Sequence, residues 1–97
     1  MNGNMSKKEY KDLIAFHPGY YIKEIIDEIN VTQEEFAKIL GATVKHLSDI
    51  IRGEVQISKD IAVSLSKLLG TSAEVWLNLQ NAFNDKVLEI ERRILSD

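Results

Sequence analysis

The chain contains no cysteine, which excludes both a disulfide framework and a thiolate metal site. It holds one proline and five glycines in 97 residues, a sparing supply of chain breakers that suits an all-helical fold with short turns. No stretch approaches the ~18 consecutive apolar residues of a membrane span, and no signal-peptide pattern is visible, so the expectation is a cytoplasmic protein that makes no membrane contact. Positive charge is also short: 12 Lys and Arg stand against 15 Asp and Glu, a net charge of −3. Nucleic-acid binders usually carry a basic domain, so any such binding here must come from the placement of a few charges. The chain also lacks a paired nucleophile and base, a glycine-rich phosphate loop and a cluster of metal ligands. No catalytic residue, metal, cofactor or small-molecule substrate is expected. His17 has no second ligand at metal-binding spacing and reads as a turn or helix-cap residue.

A 44% hydrophobic content is ordinary for a globular chain, and this length makes one domain. The stretch that organises it is TQEEFAKILGATVKHLSDIIRG, residues 32–53. Thr32 followed by Glu35 predicts a capping box, and Phe36, Ala37 and Leu40 form one helical face. Gly41 ends that helix, because glycine accepts the left-handed conformation of a helix end. Only Ala42 separates it from Thr43, a second cap. The next helix places Leu47, Ile50 and Ile51 on one face and stops at Gly53. Two short helices joined so tightly give either a plain helical hairpin or a helix-turn-helix.

The rest reads as support. The segment Lys7 to Phe16 is an arm or short helix, with Tyr10, Leu13 and Ile14 on one side. Its basic cluster, Lys7, Lys8 and Lys11, serves solvation or touches DNA or a partner. Pro18 opens a helix running to about Ile29, with Ile22, Ile25, Ile26 and Ile29 as one buried stripe, and Asn30 closes it. Ser58 caps a further helix with Asp60 in its first turn and Ile61, Ala62, Leu65, Leu68 and Leu69 as its core face, ended by Gly70. Thr71 to Glu74 predicts a second capping box before a last helix holding Trp76, Leu77, Leu79 and Phe83. Trp76, Phe83 and Ile90 repeat every seven residues, as do Gln80, Val87 and Ile94. A five-helix domain closes by Phe83, so Phe83, Val87, Ile90 and Ile94 are candidates for a dimer or partner seam. The alternative is that they fold back on the first helix or the arm. The expected organisation is an arm at 1–16, a DNA-binding domain at 17–83 and a helical extension at 84–97.

HPG at 17–19, TQEEFAKILGAT at 32–43, LSDIIRG at 47–53, ISKDIAVSLSKLLGTS at 57–72 and WLNLQ at 76–80 together resemble the HigA-type (VapI-like) antitoxins. These belong to the lambda-repressor-like, or XRE, helix-turn-helix superfamily, and the match covers roughly residues 17–83. The resemblance implies an all-α, compact five-helix DNA-binding fold with an N-terminal arm and an extended C-terminal helix. It also implies a homodimer, a palindromic double-stranded DNA operator, and a HigB-type toxin whose shared promoter the antitoxin represses. Two departures stand out: Ala73 replaces a common proline, and Glu54 sits where a basic residue is common. YKDLIAFHPG also resembles a subgroup in which this domain precedes a zinc metallopeptidase-like domain, so the chain is either whole or a piece of such a protein.

On that mapping the helix from Thr43 to Arg52 reads the major groove. Val44 touches a thymine methyl, Lys45 donates to guanine, Ser48 is permissive, and Asp49 accepts from cytosine or is instead held by Lys45. Gln33, Lys38, Thr43, His46 and Arg52 are phosphate candidates. Lys45, His46 and Arg52 read equally as plain surface residues. Two competing functions remain beside the antitoxin: a stand-alone XRE-family transcriptional regulator without a toxin, and a protein-interaction module that has lost DNA binding.

Overall fold

The computed structural model describes residues 16–95, which fold as five helices with no strand among them. In chain order these are α1 (Pro18–Ile29), α2 (Gln33–Leu40), α3 (Val44–Ile51), α4 (Lys59–Leu69) and α5 (Ala73–Leu95). The expected arm, with Tyr10, Leu13, Ile14 and its three lysines, lies outside the described residues apart from Phe16.

Local chemistry accounts for most of the boundaries. At α1 the His17 ring supplies the cap, its Nδ1 accepting the Gly19 N–H at 3.0 Å, and Pro18 takes the first helical position, where no N–H is needed. Asn30 ends the helix in the left-handed conformation at φ 59°. Thr32 and Glu35 form the reciprocal capping box of α2, at 3.0 and 2.9 Å. Gly41, at φ 75°, turns the chain out of α2, and Thr43 then caps α3 by accepting the His46 N–H at 3.0 Å. Ser58 caps α4 by accepting the Ile61 N–H at 3.1 Å.

The start of α5 differs from expectation by one residue. Ser72, not Thr71, is the cap, accepting the Val75 N–H at 3.2 Å, so Glu74 falls too early in the helix to complete a box. Thr71 is occupied elsewhere: its hydroxyl accepts the Trp76 indole N–H at 2.9 Å. Trp76 is buried, and a buried indole N–H requires an acceptor. That requirement overrides the local capping pattern.

The core is a single cluster drawn from every helix: Ile22, Ile26, Phe36, Ala37, Leu40, Leu47, Ile50, Ile57, Ile61, Ala62, Leu65 and Trp76. α1 and α2 both pack on α3, and α4 lies along the first half of α5. Two residues assigned to buried stripes are exposed instead. Ile29 lies at the far end of α1, about 10 Å beyond Ile22 at 1.5 Å per residue, while α1 meets α3 near its first turn, so Ile29 outruns its partners. Leu68 falls off the centre of the α4 stripe, at the edge of the core, where it lines a shallow depression with the exposed Ile39. Gln80 is the one polar member of the two seven-residue series. It is buried in the chain's own core, its Oε1 accepting the Ile57 N–H at 3.0 Å and its Nε2 donating to Asn84. Trp76 and Gln80, the first members of the two seven-residue series, therefore work inside the fold. Of the later members, Phe83 stands against His17, Val87 and Ile90 are half-buried, and Ile94 is exposed.

His17 joins three parts of the molecule. Its ring caps α1, stands edge-on to Phe83 of α5 with centroids 5.0 Å apart, and packs against Gly53 after α3. Burial lowers its pKa below the ordinary 6.5, with the Val55 backbone working in the opposite direction. The neutral ring is required, because a protonated Nδ1 cannot accept the Gly19 N–H and would sit at the positive end of α1. The folded pKa is depressed, so the unfolded chain binds more protons below pH ~6.5. This stability is fully present above that pH and is lost as pH falls through the folded value. Thermal melts from pH 8 down to pH 5 are expected to show a loss in wild type that is smaller in His17→Ser, which keeps a cap acceptor without a titrating ring. Parallel curves for the two proteins would show that His17 does not carry the pH dependence.

Candidate nucleic-acid interface

The residues singled out from the sequence gather around α2 and α3. Both helices start on the same side of the molecule. Thr32, Glu34, Glu35, Ala37, Lys38, Ala42, Thr43 and Val44 line one open depression of about 470 Å³ between the two N-terminal ends. Gln33 occupies the first turn of α2 and is half-buried, while Lys38 projects from its exposed side. Unpaired backbone N–H groups at helix starts suit phosphate oxygens. The carboxylates of Glu34 and Glu35 oppose that use. Glu35 is held below its ordinary pKa by the Thr32 backbone N–H, so it remains charged near neutral pH.

α3 has two distinct sides. Leu47 and Ile50 are fully buried, and Ile51 is half-buried beside them. Val44, Lys45 and Arg52 are exposed, and His46, Ser48 and Asp49 are intermediate. The outer side carries a linked set of charges. Lys45 Nζ donates to Asp49 at 3.1 Å, one helical turn away. Arg52 Nη2 donates to the other Asp49 oxygen at 2.6 Å and to Glu54 at 3.2 Å. Arg52 Nη1 donates to the Ser48 hydroxyl at 2.8 Å. The Lys45 hydrogen bond is the main cause of a lowered Asp49 pKa, and the Glu54 contact is the main cause of a raised Arg52 pKa. The side chain of Asp49 is only 16% exposed, against 54% for Arg52 and 85% for Lys45. Asp49 is thus the anchor of the set, and Lys45 is the member that swings most freely into solvent.

In the free protein Asp49 is the i,i+4 acceptor for Lys45. The role of Glu54 as a second acceptor for Arg52 was not legible, because Glu54 lies past the helix end and no helical spacing links it to Arg52. Ser48, expected to be permissive toward bases, accepts from the Arg52 guanidinium one helical turn on.

The seam candidates lie along α5. Phe83 is half-buried against His17, Val87 and Ile90 are half-buried, and Ile94 is 68% exposed near the end of α5. Among the described residues no group of three or more histidines or carboxylates is placed to hold a metal, and no helix is long and apolar enough to cross a membrane.

The family model described as helix-turn-helix matches residues 22–76, a span that contains α2, α3 and the whole charged set. An uncharacterised HTH-type transcriptional regulator of Escherichia coli (strain K12), YddM, is 34% identical over 79 residues, which cover 77% of this chain and 84% of that protein. The solved structure of the antitoxin GraA is 31% identical with a TM-score of 0.75, covering 86% of this chain and 92% of that one. The antitoxin HigA of Pseudomonas aeruginosa, solved with the higBA promoter, is 26% identical with a TM-score of 0.77, covering 87% of this chain and 92% of that one.

Proposed function

The chain belongs to the helix-turn-helix family, in the XRE-type branch that includes the HigA-type antitoxins, and from that premise we propose that it represses transcription by laying α3 in the major groove of its own operator. The observation that carries this reading is the two-sided α3. Its apolar side is locked into the core by Leu47 and Ile50, which leaves Val44, Lys45, Ser48, Asp49 and Arg52 presented outward beside the paired helix starts. HigA of Pseudomonas aeruginosa, with the same fold, is solved with promoter DNA.

In this reading Val44 meets a thymine methyl, and Lys45 leaves Asp49 to donate to guanine O6 or N7. Asp49, once released, accepts from cytosine N4. Gln33, Lys38, Thr43, His46 and Arg52 serve the phosphates. A homodimer sets two copies of α3 about one helical turn of DNA apart, ~34–36 Å, on a palindrome. Phe83, with Val87, Ile90 and Ile94 of the helical extension beyond it, supplies a seam for the second copy or for a HigB-type toxin encoded beside this gene. The work is non-enzymatic and done on DNA, in the cytoplasm.

The test is titration of the DNA immediately upstream of the gene by fluorescence anisotropy at two salt concentrations, beside a scrambled duplex. Tight binding to the upstream fragment alone is the expected result. Equal weak binding to both would overturn autorepression and favour the protein-interaction reading, for which the neutralised charges of α3 already speak. Lys45→Ala is expected to weaken operator binding by ~1–3 kcal/mol with little effect on the scrambled duplex. Arg52→Ala is expected to weaken both and to flatten the salt dependence. Unchanged operator affinity in both variants would remove α3 from the interface.

A further inference from the structure

We propose that Glu54 is a built-in competitor for DNA phosphate, holding Arg52 until the duplex displaces it and so setting the general affinity of the protein for DNA. The proposal rests on α3 being the DNA-facing helix. It adds a residue that neither base reading nor phosphate contact would single out.

The argument starts from the occupancy of the guanidinium. An arginine grips a phosphate best with two N–H groups presented side by side. Here both terminal nitrogens are engaged: Nη1 with Ser48, and Nη2 with both Asp49 and Glu54. A phosphate must therefore replace at least one acceptor. The three are not equally replaceable. Asp49 is the nearest at 2.6 Å and its side chain is only 16% exposed. Ser48 lies one helical turn before Arg52 on the same helix, fixed by the backbone that also buries Leu47. Glu54 is farther away at 3.2 Å, is 58% exposed, and lies beyond the helix end. An exposed ion pair of this kind is weakly held. The exchange that costs least is therefore Glu54 for phosphate, with Asp49 and Ser48 keeping the guanidinium aimed.

Removal of Glu54 has two consequences. The released carboxylate would otherwise sit beside DNA phosphates and retain a cation that binding should expel. Without its negative charge, a phosphate meets less competition for Arg52, and the count of counterions released rises. This acts on every sequence, because phosphates carry no base identity.

The experiment compares wild type, Glu54→Gln and Glu24→Gln on the upstream fragment and on the scrambled duplex across a salt series. Glu24 is an exposed carboxylate on α1, so its variant makes the same change in net charge away from α3. The expected result is that Glu54→Gln binds both duplexes about two- to fivefold more tightly than wild type at low salt. Its log-affinity against log-salt slope should steepen by up to about one unit. Glu24→Gln should lie close to wild type. Equal effects of the two variants would mean that only net charge matters and would overturn the proposal. Weaker binding by Glu54→Gln would overturn it in favour of a carboxylate that positions Arg52. If wild type fails to distinguish the two duplexes, the operator reading fails while the Glu54 comparison is still read on both. If no protein binds either duplex at low salt, both fall.

Discussion

Gly19→Ala should be among the most damaging single-methyl additions possible in this chain. Gly19 lies in the first turn of α1 without a positive φ, so alanine is not strained by its backbone there. On helix propensity alone alanine would stabilise the helix by up to ~1 kcal/mol. Packing reverses the sign. A Cβ at this position would stand inside the contact distance of the Ile50 carbonyl oxygen, 2.7 Å from the Ile50 carbonyl carbon and 2.8 Å from the Ile51 Cα. These are backbone atoms, and no side-chain rotation relieves them. Either α1 lifts away from α3, or the last turn of α3 deforms. Both outcomes open the core where Ile22, Ile26, Leu47 and Ile50 meet. The expected loss is at least ~3 kcal/mol, the upper part of the usual range for overpacking. At roughly 4–8 °C per kcal/mol for a domain this small, Tm falls by about 12 °C or more. Gly41→Ala is the natural comparison. Nothing lies within 4 Å of its would-be Cβ, so its cost comes only from the left-handed backbone at φ 75°, about 1–2 kcal/mol. Melting curves by circular dichroism rank the two. A Gly19→Ala protein as stable as wild type would mean that α1 does not seat on α3 through this glycine.

The same glycine shows what can and cannot be read from a sequence. Helix ends were legible, because Thr32 with Glu35, Gly41, Asn30 and Ser58 act through neighbours a few residues away. Most of the core was legible too, since Phe36, Leu47, Ile50 and Leu65 repeat at helical spacing. What failed depended on contacts distant in sequence. The capping box at residues 71–74 gave way to the demand of the Trp76 indole, and Ile29 was left exposed because α1 outruns its partners. Gln80 opens one of the two seven-residue series, and its commitment to the Ile57 N–H, 23 residues away, is not visible in that spacing. The candidate site divides in the same way. Helical spacing gives the Lys45–Asp49 pair, whereas the hold of Glu54 on Arg52 requires knowing where the chain goes after Gly53. A sequence thus reports which side chains α3 presents. It does not report which of them are already engaged.

Leu47→Ala should separate the two sides of α3. Leu47 is fully buried at the centre of the cluster, two residues from the outward-facing Lys45. Truncation removes buried methyl groups and leaves a cavity that packed helices fill only in part, at an expected cost of ~2–5 kcal/mol. That is a large share of the ~5–15 kcal/mol typical of a small domain, so the variant should melt well below wild type. Lys45→Ala, by contrast, removes a side chain that is 85% exposed and gains only a surface ion pair from Asp49. Its Tm should stay near that of wild type while specific binding falls. The two variants therefore lose DNA binding for opposite reasons. In Leu47→Ala the loss should follow the unfolded fraction and vanish at a temperature low enough to keep the variant folded, as judged by circular dichroism. In Lys45→Ala the loss should persist at every temperature. If Leu47→Ala melts like wild type, the apolar side of α3 is not what anchors it. If the folded variant still fails to bind, the outward side chains depend on the packing beneath them, and α3 must be treated as one mechanical unit rather than as a reading surface carried by a passive core.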